Sequence, residues 1–571
     1  MTVNVASLVS DNLDIWTTAV EHKSGAGRGG GKRISLYGVD RLRELILDLA
    51  VRGKLISQNM KDEPAAELLK KIAVERARLA KAGVTWKRKA SESDSEDAPY
   101  AIPDGWVWTR IADIGHDWGQ MEPSGNFTYV DVGSIDQRAG IIRSPSVLSA
   151  SEAPSRARKI VKKGTVIYST VRPYLLNIAI VDQDFDPEPI ASTAFAIVHP
   201  FEGVAASFLY RYLRSAPFIA YVEECQTGIA YPAINDKQFF SAWFPLPPLA
   251  EQQRIVAKVD ELMALCDALE AESAIAMAAH QVLVEALLAT LTTSTDEADL
   301  RASWARMEAH FDTLFNTVES IEAFKQTIFE LAVRGRLVAQ NAEDEPVQMP
   351  EFRQVSQSSD WDEKVFQYGK SRFELPPNWE IGPLAQVSSH IVDCPHTTPK
   401  WTEEGELCVR TNQIKPRWLN LSQPNYVSVE TYNERIERLK PTEGDILYIR
   451  EGGILGVGCR IPKDVRLCLG QRSMLIRCNR VISSRFMEVL LNSPYLVELA
   501  KHWTTGGAAP RVNMSTVRGY PIPTPPLAEQ DRIVAKVDEL MMLCHLMKAD
   551  LTGSAQTKRH IADAITERAT A

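Results

Sequence analysis

The chain has 571 residues, 45% hydrophobic and 24% charged, with a net charge of −9 and a pI near 5.7. That size implies roughly three to five structural units, and the acidity excludes a stand-alone, strongly electropositive nucleic-acid binder while leaving room for a reader with local basic residues. The opening MTVNVASLVSDNLDIW lacks the regions of a signal peptide, no run reaches about 18 uninterrupted apolar residues, so no membrane span is expected, and eight cysteines without a CxxC pair fit a reducing cytoplasm.

Residues 1–99 read as an N-terminal helical region and linker. Ser24 to Arg33 (SGAGRGGGKR) formally contains GxGxxG at Gly25, Gly27 and Gly30. No β-rich run precedes it, and a Walker phosphate loop fails because Ala26 lies six before Lys32 and Arg33 follows it. A flexible loop is the expectation. Leu42, Leu45, Ile46, Leu49 and Ala50 recur at helical steps within Tyr37–Lys81. SESDSEDAP (Ser91 to Pro99) reads as a polar linker.

Residues 100–246 change character. Short β-branched and aromatic runs (GTVIYSTV, NIAIV, FAIV) alternate with turn residues, and Ala205–Tyr221 is helical. Residues 373–522 repeat the plan with DILYI and MLIRC, after a linker at 351–372. Each segment opens on a Pro and a Trp (IPDGWVW, LPPNWEI) and closes on a matched turn (TGIAYPAIN, TGGAAPRVN). The expected class is mixed α/β.

Between and after these segments come a helical spacer, 247–350, and a final helix, 523–571. Pro247–Cys266 reads PPLAEQQRIVAKVDELMALC and Pro525–Cys544 reads PPLAEQDRIVAKVDELMMLC, differing only at Gln253/Asp531 and Ala264/Met542. Upstream, LAVRGKLISQNMKDEP (Leu49–Pro64) is matched by LAVRGRLVAQNAEDEP (Leu331–Pro346). Ile255, Val259, Leu262, Leu265, Cys266 and Leu269 form an apolar stripe, repeated by Ile533, Val537, Leu540, Leu543, Cys544 and Met547. A helix of about 25–30 residues would span about 37–45 Å. Core packing alone does not explain near-identity at the exposed positions Arg254, Lys258, Asp260 and Glu261 and their copies Arg532, Lys536, Asp538 and Glu539. Two equal surfaces suggest two equal docking sites for a second protein.

PPLAEQ-x-RIVAKVDELM, LAVRG-[KR]-L and the P-x₂-W domain opening resemble the specificity subunit of type I restriction–modification systems, over nearly the whole chain and in the right order. The resemblance implies two target recognition domains, each reading half of a split, asymmetric DNA sequence, and an antiparallel coiled-coil spacer. It also implies two methyltransferase subunits docked on this scaffold and restriction (translocase) subunits that join them. S-adenosylmethionine, ATP and Mg²⁺ would belong to those partners, and the chain itself would catalyse nothing. Two major-groove readers on one face of double-stranded DNA lie about 34 Å apart or a multiple of it. The competing readings are a methyltransferase or nuclease with its own active site and a coiled-coil scaffold without DNA readout. No [DN]-P-P-[YF] motif, cofactor loop or helicase phosphate loop is present to favour an enzyme.

Candidate DNA contacts follow residue type and place. RARKIVKKG packs Arg156, Arg158, Lys159, Lys162 and Lys163 into nine residues, either a phosphate-contacting patch or a solvated loop. YSTVRPYL carries Arg172 and Tyr174, and the family resemblance pairs it with YIREGG and Arg450. An Arg at a strand end can fork onto guanine or phosphate. In HIVDCPHTTPKW, His390, Cys394 and His396, with Cys408, match no familiar zinc spacing. The resemblance favours a DNA-facing loop there with His396, Thr397, Thr398 and Lys400, and Trp401 as support. Arg410, Asn412, Gln413 and Lys415 follow, Asn and Gln suiting adenine in the major groove. Arg472 and Arg511 complete the set. No metal site is expected.

Overall fold

The computed structural model describes residues 5–23, 33–83, 98–228, 232–294, 296–351, 360–372, 374–506 and 510–570. Most of the Gly-rich stretch (24–32) and of the linker at 91–99 lies outside them, as do residues 352–359. The chain forms two units: residues 1–276 with 554–571, and residues 277–553.

In the first unit, α1 (Tyr37–Val51) and α2 (Ala65–Lys81) precede a globular domain. Its strands are β1 (Val107–Arg110), β2 (Gly115–His116), β3 (Phe127–Val130), β4 (Ile135–Asp136), β5 (Ile141–Ile142), β6 (Ser146–Leu148), β7 (Ala157–Ile160), β8 (Val166–Ser169), β9 (Ile178–Ile180), β10 (Pro189–Ser192) and β11 (Phe195–Pro200). Then come α3 (Ala206–Leu213), α4 (Ala216–Cys225), β12 (Trp243–Leu246) and the long α5 (Leu249–Thr293). One sheet has the order β9-β8-β11-β2 and another β6-β3-β10-β7. The expected helix over 205–221 is broken at Arg214–Ser215, where Pro217 starts α4.

The second unit holds α6 (Val318–Val333) and its own domain: β13 (Glu380–Pro383), β14 (Ser388–Asp393), β15 (Trp401–Thr402), β16 (Glu406–Val409), β17 (Ile414–Lys415), β18 (Trp418–Leu419), β19 (Tyr426–Val427), β20 (Ile446–Ile449), β21 (Gly458–Arg460), β22 (Cys468–Leu469) and β23 (Ser473–Cys478). After them come α7 (Ser484–Leu491), α8 (Pro494–His502), β24 (Pro521–Thr524) and α9 (Leu527–Thr570). The sheet orders are β14-β23-β20-β21 and β15-β19-β16-β22. These are the same topologies: β3 pairs parallel with β10, and β16 parallel with β22. The differences lie at the two edges of the second sheet, where β15 adds a strand beyond β19 in the second domain only. β7 extends the first domain's second sheet, whereas residues 429–436 of the second domain form a helix.

Each domain is closed by its first and last strands, β1 on β12 and β13 on β24, both antiparallel. This closure brings the Pro-x-x-Trp opening beside the Pro-Pro entry to the long helix.

Those helices are longer than the pattern predicts. They run 45 and 44 residues, about 65 Å at 1.5 Å per residue. The apolar stripe fades after Cys266, but helix-forming residues such as Ala271, Ala274, Ala276 and Ala279 carry the helix on. Within α5, an 18-residue window reaches mean hydropathy 1.7 with few charges, long and apolar enough to cross a membrane by length and composition. A search for unbroken apolar runs passes over it because His280, Gln281 and Glu285 interrupt it. Part of this apolar content is core. Val284, Leu288 and Leu291 share one cluster with Ile328 of α6, Phe486 of α7, and Ile533, Val537, Leu540 and Cys544 of α9. So within the second unit the end of α5 packs with the start of α9.

Candidate nucleic-acid interface

The repeated motifs meet at one kind of junction, built once in each unit. In the second unit, Glu529 in the first turn of α9 is 1% exposed. It accepts the indole N–H of Trp379 at 3.0 Å and the Gln340 amide at 2.7 Å. Gln530 beside it accepts the Ser483 N–H and donates to Val481 and Pro525 carbonyls. Arg532 pairs with Asp344 at 2.7 Å. Gly335, at φ +66°, has the Pro376 ring where a Cβ would stand, 2.5 Å away. The first unit repeats the arrangement with Gln252 on Ala205 and Gly203, Arg254 on Asp62 at 2.5 Å, and Gly53 against Pro103, and there Glu251 lies beside Trp106 and Gln58 without the indole hydrogen bond. Burial raises the pKa of both glutamates, with the neighbouring donors opposing that rise.

The same cassettes hold the far helix ends. Lys54 donates to the Thr570 carbonyl, ending α9, and Arg336 to the Thr292 and Ser294 carbonyls, ending α5. A cation there suits the negative pole of the helix dipole. Each unit thus holds the start of one long helix and the end of the other.

These contacts revise the reading of the repeated charges. Arg254 and Arg532 bind within the chain. Asp260 pairs with Arg211, and Asp538 with Arg417 and Arg485. Lys258 pairs with Glu261 at 2.7 Å and Lys536 with Glu539 at 2.8 Å, one helical turn apart on an exposed face. Beside them Leu265 and Leu543, expected in the buried stripe, are 41% and 39% exposed, and Met542 and Leu546 are exposed too.

In the first domain the basic cluster does not form one patch. β7 buries alternate residues, and Lys159, 7% exposed, pairs with Asp236 at 3.0 Å. Arg158 lies partly buried against Glu122 at 3.2 Å. Arg156 is exposed at one end of the strand, while Lys162 and Lys163 lie beyond the other, on the order of 15–20 Å away at about 3.3 Å per residue. Lys162 sits over the Trp118 ring at 4.2 Å and Lys163 near Asp184 at 3.9 Å. At the first end, the Thr193 N–H donates to Arg156 O and the Thr170 N–H to Ala194 O, both at 2.8 Å. This places Arg156 near the turn carrying Arg172. Arg172 is exposed in the left-handed region at φ 48°, followed by Tyr174 at 49% and Leu175 at 38% exposure.

In the second domain, hydrogen bonds gather most candidates on one rim. The Gln471 amide donates to the His396 carbonyl at 3.0 Å and to Thr398 Oγ1 at 3.2 Å. His396 reaches Asp393 at 3.3 Å, and the Thr397 carbonyl accepts from Arg435. Arg472 and Arg511 are exposed; Glu451 bridges Arg511 through the backbone and Arg472 at 3.7 Å. Lys400 is exposed nearby, and Arg410 lies 4.8 Å over the Trp401 ring. Gln413 is 4% exposed, with its amide spent on Arg410 N, Asn425 and Gln423. Gln471 had no sequence signal, its place on the rim being set by a contact 73 to 75 residues away.

Arg450 differs from its supposed counterpart. It is 7% exposed and forks onto Asp393, Nε at 2.9 Å and Nη2 at 2.5 Å, with Nη1 on the Val512 carbonyl. Burial opposes its charge, and Asp393 more than offsets that, raising its pKa. The register shows why. The Arg450 N–H donates to Arg472 O as Thr170 donates to Ala194, and Gly452 donates to Pro510 as Arg172 does to Pro232. Thr170 is therefore the equivalent of Arg450, and Gly452 that of Arg172.

Cys408 faces Cys468 across β16 and β22 rather than a histidine. Among the described residues no three His, Cys, Asp or Glu side chains come together as a metal would need.

The family model for the type I restriction modification DNA specificity domain matches residues 105–276 and 405–552. The chain is 32% identical to the type I restriction enzyme EcoAI specificity subunit of Escherichia coli, over 99% of this chain and all of that protein. It is 31% identical to the EcoEI specificity subunit of the same organism, over 99% of each. A chain from a structure of type I R-M system complex assembly and conformational transition superposes with TM-score 0.51 at 25% identity, over 83% of this chain and 99% of that one.

Proposed function

This chain belongs to the DNA specificity subunits of type I restriction–modification systems, and from that we propose that each of its two sheet domains reads one half of a split, asymmetric DNA target. The chain is the non-catalytic subunit of a complex with modification and restriction subunits. One observation supports the two-reader proposal above all: two domains of one topology sit on matched junctions while their exposed rims carry different side chains. A duplicated frame with unlike rims can address an asymmetric sequence that a homodimer cannot.

In this reading Arg156, Arg172 and Tyr174 form the first contact edge. His396, Thr397, Thr398, Lys400, Arg410, Arg472 and Arg511, joined by Gln471, form the second. Lys162 and Lys163 are backbone contacts at most, because they lie beyond the far end of β7. Lys159, Arg158, Gln413 and Arg450 support these surfaces from inside. Two methyltransferase subunits dock on the two copies of the helix face around Lys258, Glu261 and Leu265 and around Lys536, Glu539 and Leu543. Restriction subunits join them; S-adenosylmethionine, ATP and Mg²⁺ belong to these partners, and the assembly acts on DNA in the cytoplasm.

Gel shift with and without the methyltransferase subunits tests this. The acidic chain alone should bind DNA weakly and without sequence preference, and the complex should bind its site in the range of about 10⁻⁸–10⁻¹¹ M. Equal, sequence-independent binding in both cases would refute the proposal.

A further inference from the structure

β17 and β18 form a hairpin with Ile414 opposite Leu419 and Lys415 opposite Trp418, so Pro416 and Arg417 alone make the turn. Arg417 has φ 66°, where Gly or Asn is the usual occupant after a Pro. An arginine kept in a conformation that disfavours it asks for a compensating contact.

The side chain supplies it. Arg417 is 17% exposed, and its Nη2 meets Asp538 of α9 at 2.5 Å. Its Nε faces Glu488 of α7 at 3.7 Å, and its guanidinium lies 5.9 Å from the Phe329 ring of α6. Its backbone N–H donates to Gly458 of β21 at 3.1 Å. Glu488 is itself 2% exposed and holds Arg460, and Asp538 also accepts from Arg485. One side chain therefore joins the hairpin of the recognition domain to the long helix that carries the domain.

The first domain anchors the matching hairpin differently. β4 and β5 are joined by four residues, and Gly140 takes the positive φ. Arg138 from this loop pairs with Glu270 of α5 at 2.6 Å, where Arg43 of α1 also binds. The residue of α5 matching Asp538 is Asp260, so Arg138 grips its helix ten residues further on, about 15 Å along the axis. Loop length and arginine position together set where each domain is fastened.

We propose that Arg417 is a positioning residue that fixes the seat of the second recognition domain on α9, and so the half-site separation the complex accepts, without reading bases itself. This rests on the two-reader proposal above. One base pair added between half-sites moves the second by about 3.4 Å and turns it by about 35°. The Trp379–Glu529 junction holds the base of the domain with or without Arg417, so what the loss of Arg417 frees is the lean of the hairpin side against α9.

The test uses the full chain in complex with its methyltransferase subunits, on duplexes with the native spacer and with one base pair added or removed. Arg417→Gly suits the turn's φ and removes the anchor; Arg417→Asn serves as a second variant that also tolerates that φ. Wild type should disfavour the altered spacers by about tenfold or more. Either variant should shrink that ratio to below about threefold, keep the far-ultraviolet circular dichroism of the folded chain, and keep base preferences at both halves. A variant as selective as wild type, or one that loses affinity evenly on all spacers, overturns the inference alone. A wild-type complex indifferent to spacing overturns it together with the two-reader proposal.

Discussion

Trp379 and Glu529 lie 150 positions apart in sequence, and the indole N–H of one donates to the carboxylate of the other at 3.0 Å, with both side chains buried. This bond ties the opening of a recognition domain to the first turn of a spacer helix. It gives the P-x₂-W and LAEQ motifs a common reason to recur: each is half of one joint. Trp379→Phe should destabilise the second unit by about 1–3 kcal/mol, leaving a buried carboxylate short of a donor. Glu529→Ala should cost a similar amount, and the double variant less than the sum. Hydrogen exchange across residues 375–384 and 527–535 reports the loss locally, and unchanged protection would show that the joint does not hold the domain.

The helix faces separate folding from assembly. Val259 and Val537 are fully buried, so Val259→Asp with Val537→Asp should disrupt the spacer and abolish methyltransferase assembly. Leu265 and Leu543 are exposed on the same helices. Leu543→Asp should shift stability by no more than about 0.5 kcal/mol yet weaken capture of one methyltransferase subunit. Size-exclusion chromatography with light scattering counts the subunits, and full assembly by Leu543→Asp would remove this face from the interface.

The basic residues of the first domain divide into two predictions. Arg172→Ala should weaken binding by about 1–3 kcal/mol, confined to one half-site, if it reads a base. A loss uniform across sequences, with a salt slope lower by about one, assigns it to phosphate. Lys159→Ala should instead lower the melting temperature, since it strips Asp236 of a buried ammonium, and leave the binding of folded molecules unchanged. The reverse pattern would contradict the division.

His199 makes the first domain sensitive to acid. Burial first, then His116 and Lys162, push its pKa from 6.5 down to about 4. Thr165 lies 3.0 Å from its Nδ1, and the Trp118 ring is 4.8 Å away. A depressed value means that the unfolded chain binds the proton more readily. The contribution is therefore complete above pH 6.5 and is lost as pH falls toward 4. The full shift would be worth about 3 kcal/mol, reduced to roughly 1–2 by solvent screening of a half-buried ring. Melting curves between pH 7 and 4 should fall more steeply for wild type than for His199→Gln, and parallel curves would refute the assignment.

Much of this fold was legible in the chain. Alternating β-branched runs located β8, β11, β20 and β23, and the repeated cassettes announced a duplicated frame. Contacts distant in sequence were hidden. Nothing near Arg450 signals Asp393, 57 positions away, so a buried fork read as a strand-end arginine. The basic run at 156–163 counted as one patch because a linear window ignores the pleat, which turns Lys159 inward and leaves Arg156 out. Nor does anything near Glu529 signal Trp379 and Gln340, 150 and 189 positions away, whose side chains its carboxylate accepts from. The first spacer helix extends past its apolar stripe unannounced, because the exposed alanine-rich turns after Cys266 carry no amphipathic signal even though they extend a helix well.

The most direct measurement replaces residues 100–246 with the corresponding domain of another specificity subunit, co-expresses the chimera with the methyltransferase subunits, and maps methylated adenines by single-molecule sequencing. One half of the methylated motif should change, while the other half and the spacing between them stay as in wild type. A chimera that changes both halves, or neither, would contradict the assignment of one half-site to each domain.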